Sequence, residues 1–387
     1  MPWKETQAVD ERRTFIEEWL RRRAPMAQLA AEFGVSRKTA YKWAERYHQG
    51  GLAGLVDASR APHTRPQQVD EATAKKIVEL RQRHPFWGPK KLRAWLEQHA
   101  PEIRWPAVST MGELLKARGL VEERRKRRRT PLSTQPLAAA TESNIVWSAD
   151  FKGQFKVGGR YCYPLTISDN FSRFLLAVDG VDDEREPTVK PIFERVFRDD
   201  GLPLRMRTDN GPPFASKAIG GLSRLSVWWV KLGITPERIE PGQPQQNGRH
   251  ERMHRTLKAQ TARPPRPTRE AQQAAFDEFR GVYNAERPHE ALQQRPPASV
   301  YQRSMRVWSG EVNDPDYPND FLVRRVSKSG ELRWGGVTTY IATVLAGEAI
   351  GIEDVDDGVA QLWFGPIYLG TMTQLGKEKV ELLPNNG

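Results

Sequence analysis

Residues 144–240 carry short apolar runs in an order that few architectures accommodate. Residues 146–157, 161–168 and 173–181 read as three strands, with Gly158 and Gly159 forming the hairpin turn between the first two. Residues 186–198 then read as a helix, 204–208 as a fourth strand, 214–232 as a broken helix and 234–240 as a fifth strand. Three antiparallel strands followed by alternating helix and strand predict an α/β sheet with helices laid on its faces. Two strand-like runs arrive at an aspartate: Asp150 in the first, and Asp209 just after the fourth, followed by Asn210 and Gly211. In an open α/β sheet chemistry collects at strand ends and helix starts, so these two carboxylates are the first candidates for a site.

A third follows. The loop Gln243, Pro244, Gln245, Gln246, Asn247, Gly248 leads into good helix formers over residues 249–260, with Asn247 or Gly248 as the cap. On that helix Glu251, Arg255 and Lys258 stand at i, i+4 and i+7, which sets one carboxylate and two cations on a shared face. Three carboxylates meeting at one point repel and raise their own pKa values unless divalent cations neutralise them. Hard oxygen donors select Mg²⁺ or Mn²⁺, and two such ions roughly 3.5–4 Å apart can clamp the attacking and leaving oxygens of a phosphodiester.

The succession of Asp150, then Asp209-Asn210-Gly211, then Pro241-Gly242-Gln243-Pro244-Gln245-Gln246-Asn247-Gly248 ahead of Glu251 resembles the integrase-core DDE transposases of bacterial insertion sequences, relatives of retroviral integrase. With the flanking segments, the resemblance covers most of the chain. It implies a ribonuclease-H-like catalytic core over residues 144–308, with Asp150, Asp209 and Glu251 as the catalytic, metal-binding triad. Asp150 and Asp209 would hold the Mg²⁺ that activates water, and Asp150 with Glu251 the one that stabilises the leaving oxygen. The implied reaction is cleavage at the ends of a mobile element, then transfer of the 3′-hydroxyl to target DNA. The implied partners are double-stranded DNA, both terminal repeats and target, and further copies of the chain, at least a dimer on DNA. His254, Arg255 and Lys258 are expected beside that DNA. Asp209 and Glu251 are 42 positions apart, longer than the usual spacing, and Gly220-Gly221-Leu222-Ser223 is where the extra turn is expected.

The charge distribution fits a polyanionic partner. The 387 residues carry a net charge of +12, and all of that excess lies in residues 1–130, with 28 Lys and Arg against 16 Asp and Glu. Within residues 1–60, helices over 10–23, 26–33 and 37–47, with a turn at Gly34-Val35-Ser36, give a helix-turn-helix pattern. Its third helix offers Arg37, Lys38, Tyr41 and Lys42 to DNA. Residues 67–123 read as a second such module, with helices over 70–83, 88–98 and 109–118, the last capped by Ser109 or Thr110. Residues 124–143 form a basic linker whose Arg124, Arg125, Lys126, Arg127, Arg128 and Arg129 are expected on phosphates, adding affinity without sequence information. Residues 320–380 alternate in short runs between Gly and Asp turns and predict a small β-barrel. With 6 basic and 9 acidic residues from Asp320 onward, that segment is open to protein as well as DNA contact.

A single cysteine, Cys162, excludes an intrachain disulfide and a thiolate zinc site. No apolar run approaches a membrane span, and residues 1–10 carry no signal-peptide pattern, so a soluble cytoplasmic protein is expected. Two rival readings stand beside the resemblance. His250-Glu251-Arg252-Met253-His254 matches the His-Glu-x-x-His pattern of zinc metalloproteases, although Arg249, Arg252, Arg255 and Lys258 surround it where such helices are usually apolar. The chain could also be a DNA-binding regulator whose nuclease-like core is inert. Asp169 reads as a turn former rather than a metal ligand.

Overall fold

The computed structural model describes residues 8–57, 69–121, 137–240, 248–375 and 379–385. They fall into two compact units, Met1–Val69 and Asp70–Gly387. The basic run Arg124 to Arg129 and the loop residues Gln246 and Asn247 lie outside the described residues.

The first unit is three helices, α1 (Ala8–Leu20), α2 (Met26–Glu32) and α3 (Arg37–Gly50). Phe15, Ile16, Leu29, Ala30, Ala40, Trp43 and Leu55 form its core, which follows from their helical spacing. Gly34, at φ 62°, ends α2, and the amide of Val35 reaches back to Ala30 O at 2.9 Å. Ser36 then caps α3 by accepting from the Thr39 amide at 3.1 Å. This tight turn sets α3 across α2 with Arg37, Lys38, Tyr41 and Lys42 all exposed on its outer side.

The second unit opens with α4 (Glu71–Arg83), α5 (Pro89–His99) and α6 (Val108–Ala117). α6 starts one residue earlier than expected, after Ala107, so neither Ser109 nor Thr110 caps it. Trp87, Leu92, Leu96, Trp105, Met111 and Leu115 close this module's core, and Val282 of a later helix packs against it.

The central sheet comprises β1 (Val146–Phe151), β2 (Phe155–Val157), β3 (Arg160–Asp169), β4 (Leu175–Val181), then, after α7 (Glu186–Asp200), β5 (Arg205–Thr208), and, after α8 (Arg224–Lys231), β6 (Thr235–Arg238). The strand order is β2-β3-β1-β5-β6, with β4 also on β3. β1, β3 and β4 pair antiparallel, whereas β1–β5 and β5–β6 are parallel, because α7 and α8 supply the crossovers that parallel strands need. α9 (Gly248–Thr261) and α10 (Arg269–Ala285) follow. One face of the sheet, with Trp147, Ala149, Leu165 and Ile167, packs on Val189, Phe193 and Phe197 of α7 and Leu225 and Trp229 of α8. The other face, with Cys162, Leu175 and Val178, packs on Met253 and Leu257 of α9 and Phe276 and Phe279 of α10. The result is a three-layer sandwich in which β1 and β3 turn alternate side chains to opposite layers.

The chain ends in β7 (Leu322–Arg325), β8 (Glu331–Trp334), β9 (Val337–Tyr340), β10 (Ala349–Asp356), β11 (Val359–Phe364), β12 (Ile367–Gln374) and β13 (Val380–Pro384). Short strands fill this segment as the alternation predicts, but the closed barrel expected over residues 320–380 is not found. An open sheet β13-β12-β11-β10-β7 faces a separate hairpin β8-β9, and among the described residues no ladder joins their edges. After Arg325 the chain leaves the sheet to make the hairpin, so apolar packing rather than backbone pairing closes this region. Its core is shared with the central domain: Ile219, Leu222, Val227 and Val230 pack with Leu345, Ile352, Leu362 and Leu369.

Candidate active site

Register brings the two aspartates together. The last pair of the β1–β5 ladder is Ser148 with Arg207, and two residues beyond each stand Asp150 and Asp209. Trp147 and Ala149 are buried towards α7 and α8, so Ser148 and Asp150 face the α9 layer by the two-residue alternation of a strand. Asp209 lies just past the end of β5 in a loop held by its neighbours. Asn210 donates its side-chain N–H to Ile239 O at 2.7 Å, and the Gly211 amide donates to Asp209 Oδ1 at 3.1 Å. Both residues shape this loop. Glu251 lies in the first turn of α9 and is exposed.

The electrostatics record this convergence. The Asp150 carboxyl is pushed up to about 7, first by burial, next by the negative charge of Asp209 and also by Glu251, against the lowering influence of Lys152. Glu184, in the loop before α7, is raised by burial and by the same Asp209. Among the described residues no three His, Cys, Asp or Glu side chains already surround a common point at metal-ligand distance. Asp209 and Glu251 therefore act on Asp150 through space, and Lys152 offsets them only in part. Asp150 and Glu251 line an open groove of about 630 Å³, together with Lys152, Arg252, Arg255 and Lys258.

α9 divides its side chains between this groove and the sheet. Glu251, Arg252 and Arg255 are exposed and Lys258 is half-buried, all four on the groove. His250, Met253, His254 and Leu257 form the buried stripe. His254, expected beside DNA, lines the floor of the groove and is only 3 % exposed, because it shares the inward face with Met253 and Leu257. Its Nε2 and the Nε2 of His250 both lie 2.7 Å from the Thr166 hydroxyl, which donates to Asp150 O at 3.1 Å. That network assigns N–H to both Nε2 atoms. His254 Nδ1 is 3.7 Å from Asp150 Oδ2. Burial lowers the pKa of both imidazoles, that of His250 to about 4, so both are neutral near pH 7. The His pair thus supports the back of Asp150. The two nitrogens a zinc site would need are bound to Thr166, which counts against the metalloprotease reading.

Other expected residues are accounted for. Asp169 is a turn former: its carboxylate accepts from the Ser172 amide at 2.7 Å, the Ser172 hydroxyl at 2.6 Å and the Asn144 amide at 2.9 Å. Gly220 and Gly221 form the extra turn before α8, at φ 62° and 64°. Thr166, Lys152 and Arg252 were not singled out from sequence. Lys152 could have been, since it stands two positions after Asp150 on the same side of the chain. Thr166 could not, because its place opposite Asp150 depends on the β1–β3 register.

No helix among the described residues is long and apolar enough to cross a membrane. An integrase core domain model matches residues 140–244 and a second integrase core model residues 232–297. A helix-turn-helix domain model matches residues 11–63, and a homeodomain-like one residues 39–115. An uncharacterized 31.7 kDa protein of insertion element IS407 from Burkholderia multivorans is 30% identical over 251 residues, covering 64% of this chain and 87% of that protein. An uncharacterized 39.2 kDa protein of insertion element IS476 from Xanthomonas euvesicatoria is 30% identical over 249 residues, covering 64% and 69% respectively. Among solved structures, the HTLV-2 integrase catalytic core domain in complex with magnesium aligns with 42% of this chain and 99% of that one, at 16% identity and a TM-score of 0.33.

Proposed function

Since this chain belongs to the integrase-core transposase family of bacterial insertion elements, we propose that it cuts DNA at the ends of such an element and joins them to new DNA. The observation that carries this reading is the Asp150 carboxyl, held near neutral pH by its burial and by Asp209 and Glu251. Crowded carboxylate oxygens of that kind suit hard divalent cations. Asp150, Asp209 and Glu251 would hold two Mg²⁺ or Mn²⁺ ions. When bound, those ions supply charge neutralisation for the attacking and leaving oxygens of the phosphodiester.

The chain's own residues do the rest. Thr166, braced by His250 and His254, fixes the backbone of Asp150 from behind. Arg255 and Lys258, on the groove, grip phosphates flanking the scissile one. Arg37, Lys38, Tyr41 and Lys42 read DNA from the first helical unit, and Arg124 to Arg129 add contacts to phosphates. In the first step a water oxygen bonds to phosphorus and the P–O3′ bond breaks, leaving a 3′-hydroxyl and a 5′-phosphate. In the second that 3′ oxygen attacks a target phosphorus and displaces the target's own 3′ oxygen. One phosphodiester is exchanged for another, so no nucleotide hydrolysis is needed. Bringing two ends to one target requires at least two copies of the chain on DNA.

The test is incubation of purified full-length protein with DNA carrying the element's own ends, in Mn²⁺ or Mg²⁺, beside its Asp209→Asn variant. Metal-dependent nicking by the wild type and none by the variant is expected. Binding without nicking by the wild type would favour the inert regulator, and equal nicking by both would remove Asp209 from the chemistry.

A further inference from the structure

A second cavity lies on the other flank of α9. It encloses about 210 Å³ and is lined by side chains from four separate parts of the second unit. Lys91 comes from α5, Arg173 from the β3–β4 turn, Arg252 from α9, and Arg287, His289 and Glu290 from the segment after α10. Four of these are cations and one is a carboxylate. Glu290 is itself ion-paired to Lys90 at 3.3 Å, which leaves the cavity strongly positive. Lys91, Arg252 and Arg287 form no ion pair among the described residues.

The cations act on one another and on the groups between them. Burial and the charge of Arg287 lower the Lys91 ammonium to about 8. Burial, then Lys91, Arg287 and Arg173, lower the His289 imidazole to about 3. Arg173 stands at φ 66°, a backbone conformation that Gly or Asn would adopt at less cost, and its guanidinium donates to Asn170 O. Two buried nitrogens of the lining residues, Arg287 Nε and His289 Nε2, have no hydrogen-bond partner among the described residues. A buried guanidinium N–H and converged like charges are both unfavourable unless an anion answers them.

We propose that this cavity binds one phosphate of the DNA backbone, clamping the strand between α5 and the helix that carries Glu251. Phosphate is the anion chemistry that guanidinium forks and an ammonium select together. The occupant is DNA rather than a free anion because Arg252 lines both this cavity and the catalytic groove, so one strand can run from the groove into it. A phosphate held there would also tie the second helical module to the catalytic helix, coupling recognition to cleavage. The inference rests on the functional reading above and assigns a contact which that reading does not contain.

The experiment uses full-length protein carrying Lys91→Met and Arg173→Asn together. Asn suits the left-handed backbone at position 173, and neither residue belongs to the catalytic groove. Binding of a duplex is followed by fluorescence anisotropy across a salt series. The double variant should bind more weakly for every duplex sequence, with a logarithmic salt slope shallower by about one. Its DNA-free melting temperature should be unchanged or higher, since like-charge repulsion has been removed. An unchanged slope, with wild-type binding intact, overturns the cavity as a DNA site and leaves the functional reading standing. A slope that stays unchanged while inorganic phosphate raises the melting temperature of the wild type alone identifies a small-anion site and equally overturns it. Failure of the wild type to bind any duplex overturns the functional reading and this inference with it.

Discussion

Replacing Asp150 by Asn should stabilise the metal-free protein. The carboxyl rises from 3.8 to about 7 on folding, with its side chain 18% exposed, so ionising it in the folded state at pH 8 costs on the order of 4 kcal/mol relative to the unfolded chain. Asn keeps the shape and removes the charge. The sign follows from proton binding. The folded state holds this proton more tightly, so the penalty is absent below the unfolded pKa, grows as pH rises, and is complete above about 7. The wild type and Asp150→Asn should therefore melt together near pH 4 and part by roughly 5–10 °C at pH 8 in chelator. Mg²⁺ should reverse the order of gains. At a hundredfold excess over its dissociation constant it stabilises a protein that binds it by about 2.7 kcal/mol, and the variant should receive little of this. Calorimetry at several pH values, with and without Mg²⁺, measures all of these quantities. Equal melting at pH 8 in chelator would falsify the carboxylate repulsion, and an equal response of both proteins to Mg²⁺ would move the ions elsewhere.

Other outcomes follow from the same structure. Thr166→Val leaves the Nε2 groups of two buried histidines without their acceptor and should cost about 2–4 kcal/mol in denaturant titration, with Thr166→Ser restoring most of it; a neutral Thr166→Val would show the network to be dispensable. Lys258→Ala should flatten the salt dependence of DNA binding by about one unit, and an unchanged slope would take Lys258 off the phosphates. Ser36→Ala removes the cap of α3 and should lower the stability of the first unit by about 1 kcal/mol, read from the melting of its helices by circular dichroism. Gly221→Ala meets both a left-handed backbone and the Arg238 guanidinium, so it should destabilise by about 1–3 kcal/mol; a melting point equal to wild type would contradict that packing.

What could be read from the residues alone depended on whether the signal was local. Asp150 and Asp209 were visible because each closes an apolar run, and the chain returns parallel to β1 at β5 by way of β2 to β4 and the α7 crossover. The three helices of the first unit were visible through Phe15, Ile16, Trp43 and the Gly34–Ser36 turn. The burial of His254 was not foreseen because the charged spacing of Glu251, Arg255 and Lys258 drew attention to one face of α9. The spacing of His250, Met253, His254 and Leu257 defines the opposite, buried face just as well. Thr166 was hidden because its role depends on which residue of β3 lies opposite Asp150, and alternation alone leaves that register undetermined. The open C-terminal sheet illustrates the same limit: alternation marks strands, while edge closure is decided by pairing between distant segments.

The shared packing of α8 with the C-terminal strands has a consequence for how this protein can be dissected. Val227 and Val230 have no purely local shelter, and Lys231 is ion-paired to Glu348 at 2.8 Å across the same junction. Removing everything after residue 308 would open a greasy wound on the layer that backs Asp150 and Asp209 rather than free an accessory arm. The tail is one wall of the central domain's own interior, and shortened versions should be judged first by whether they still fold.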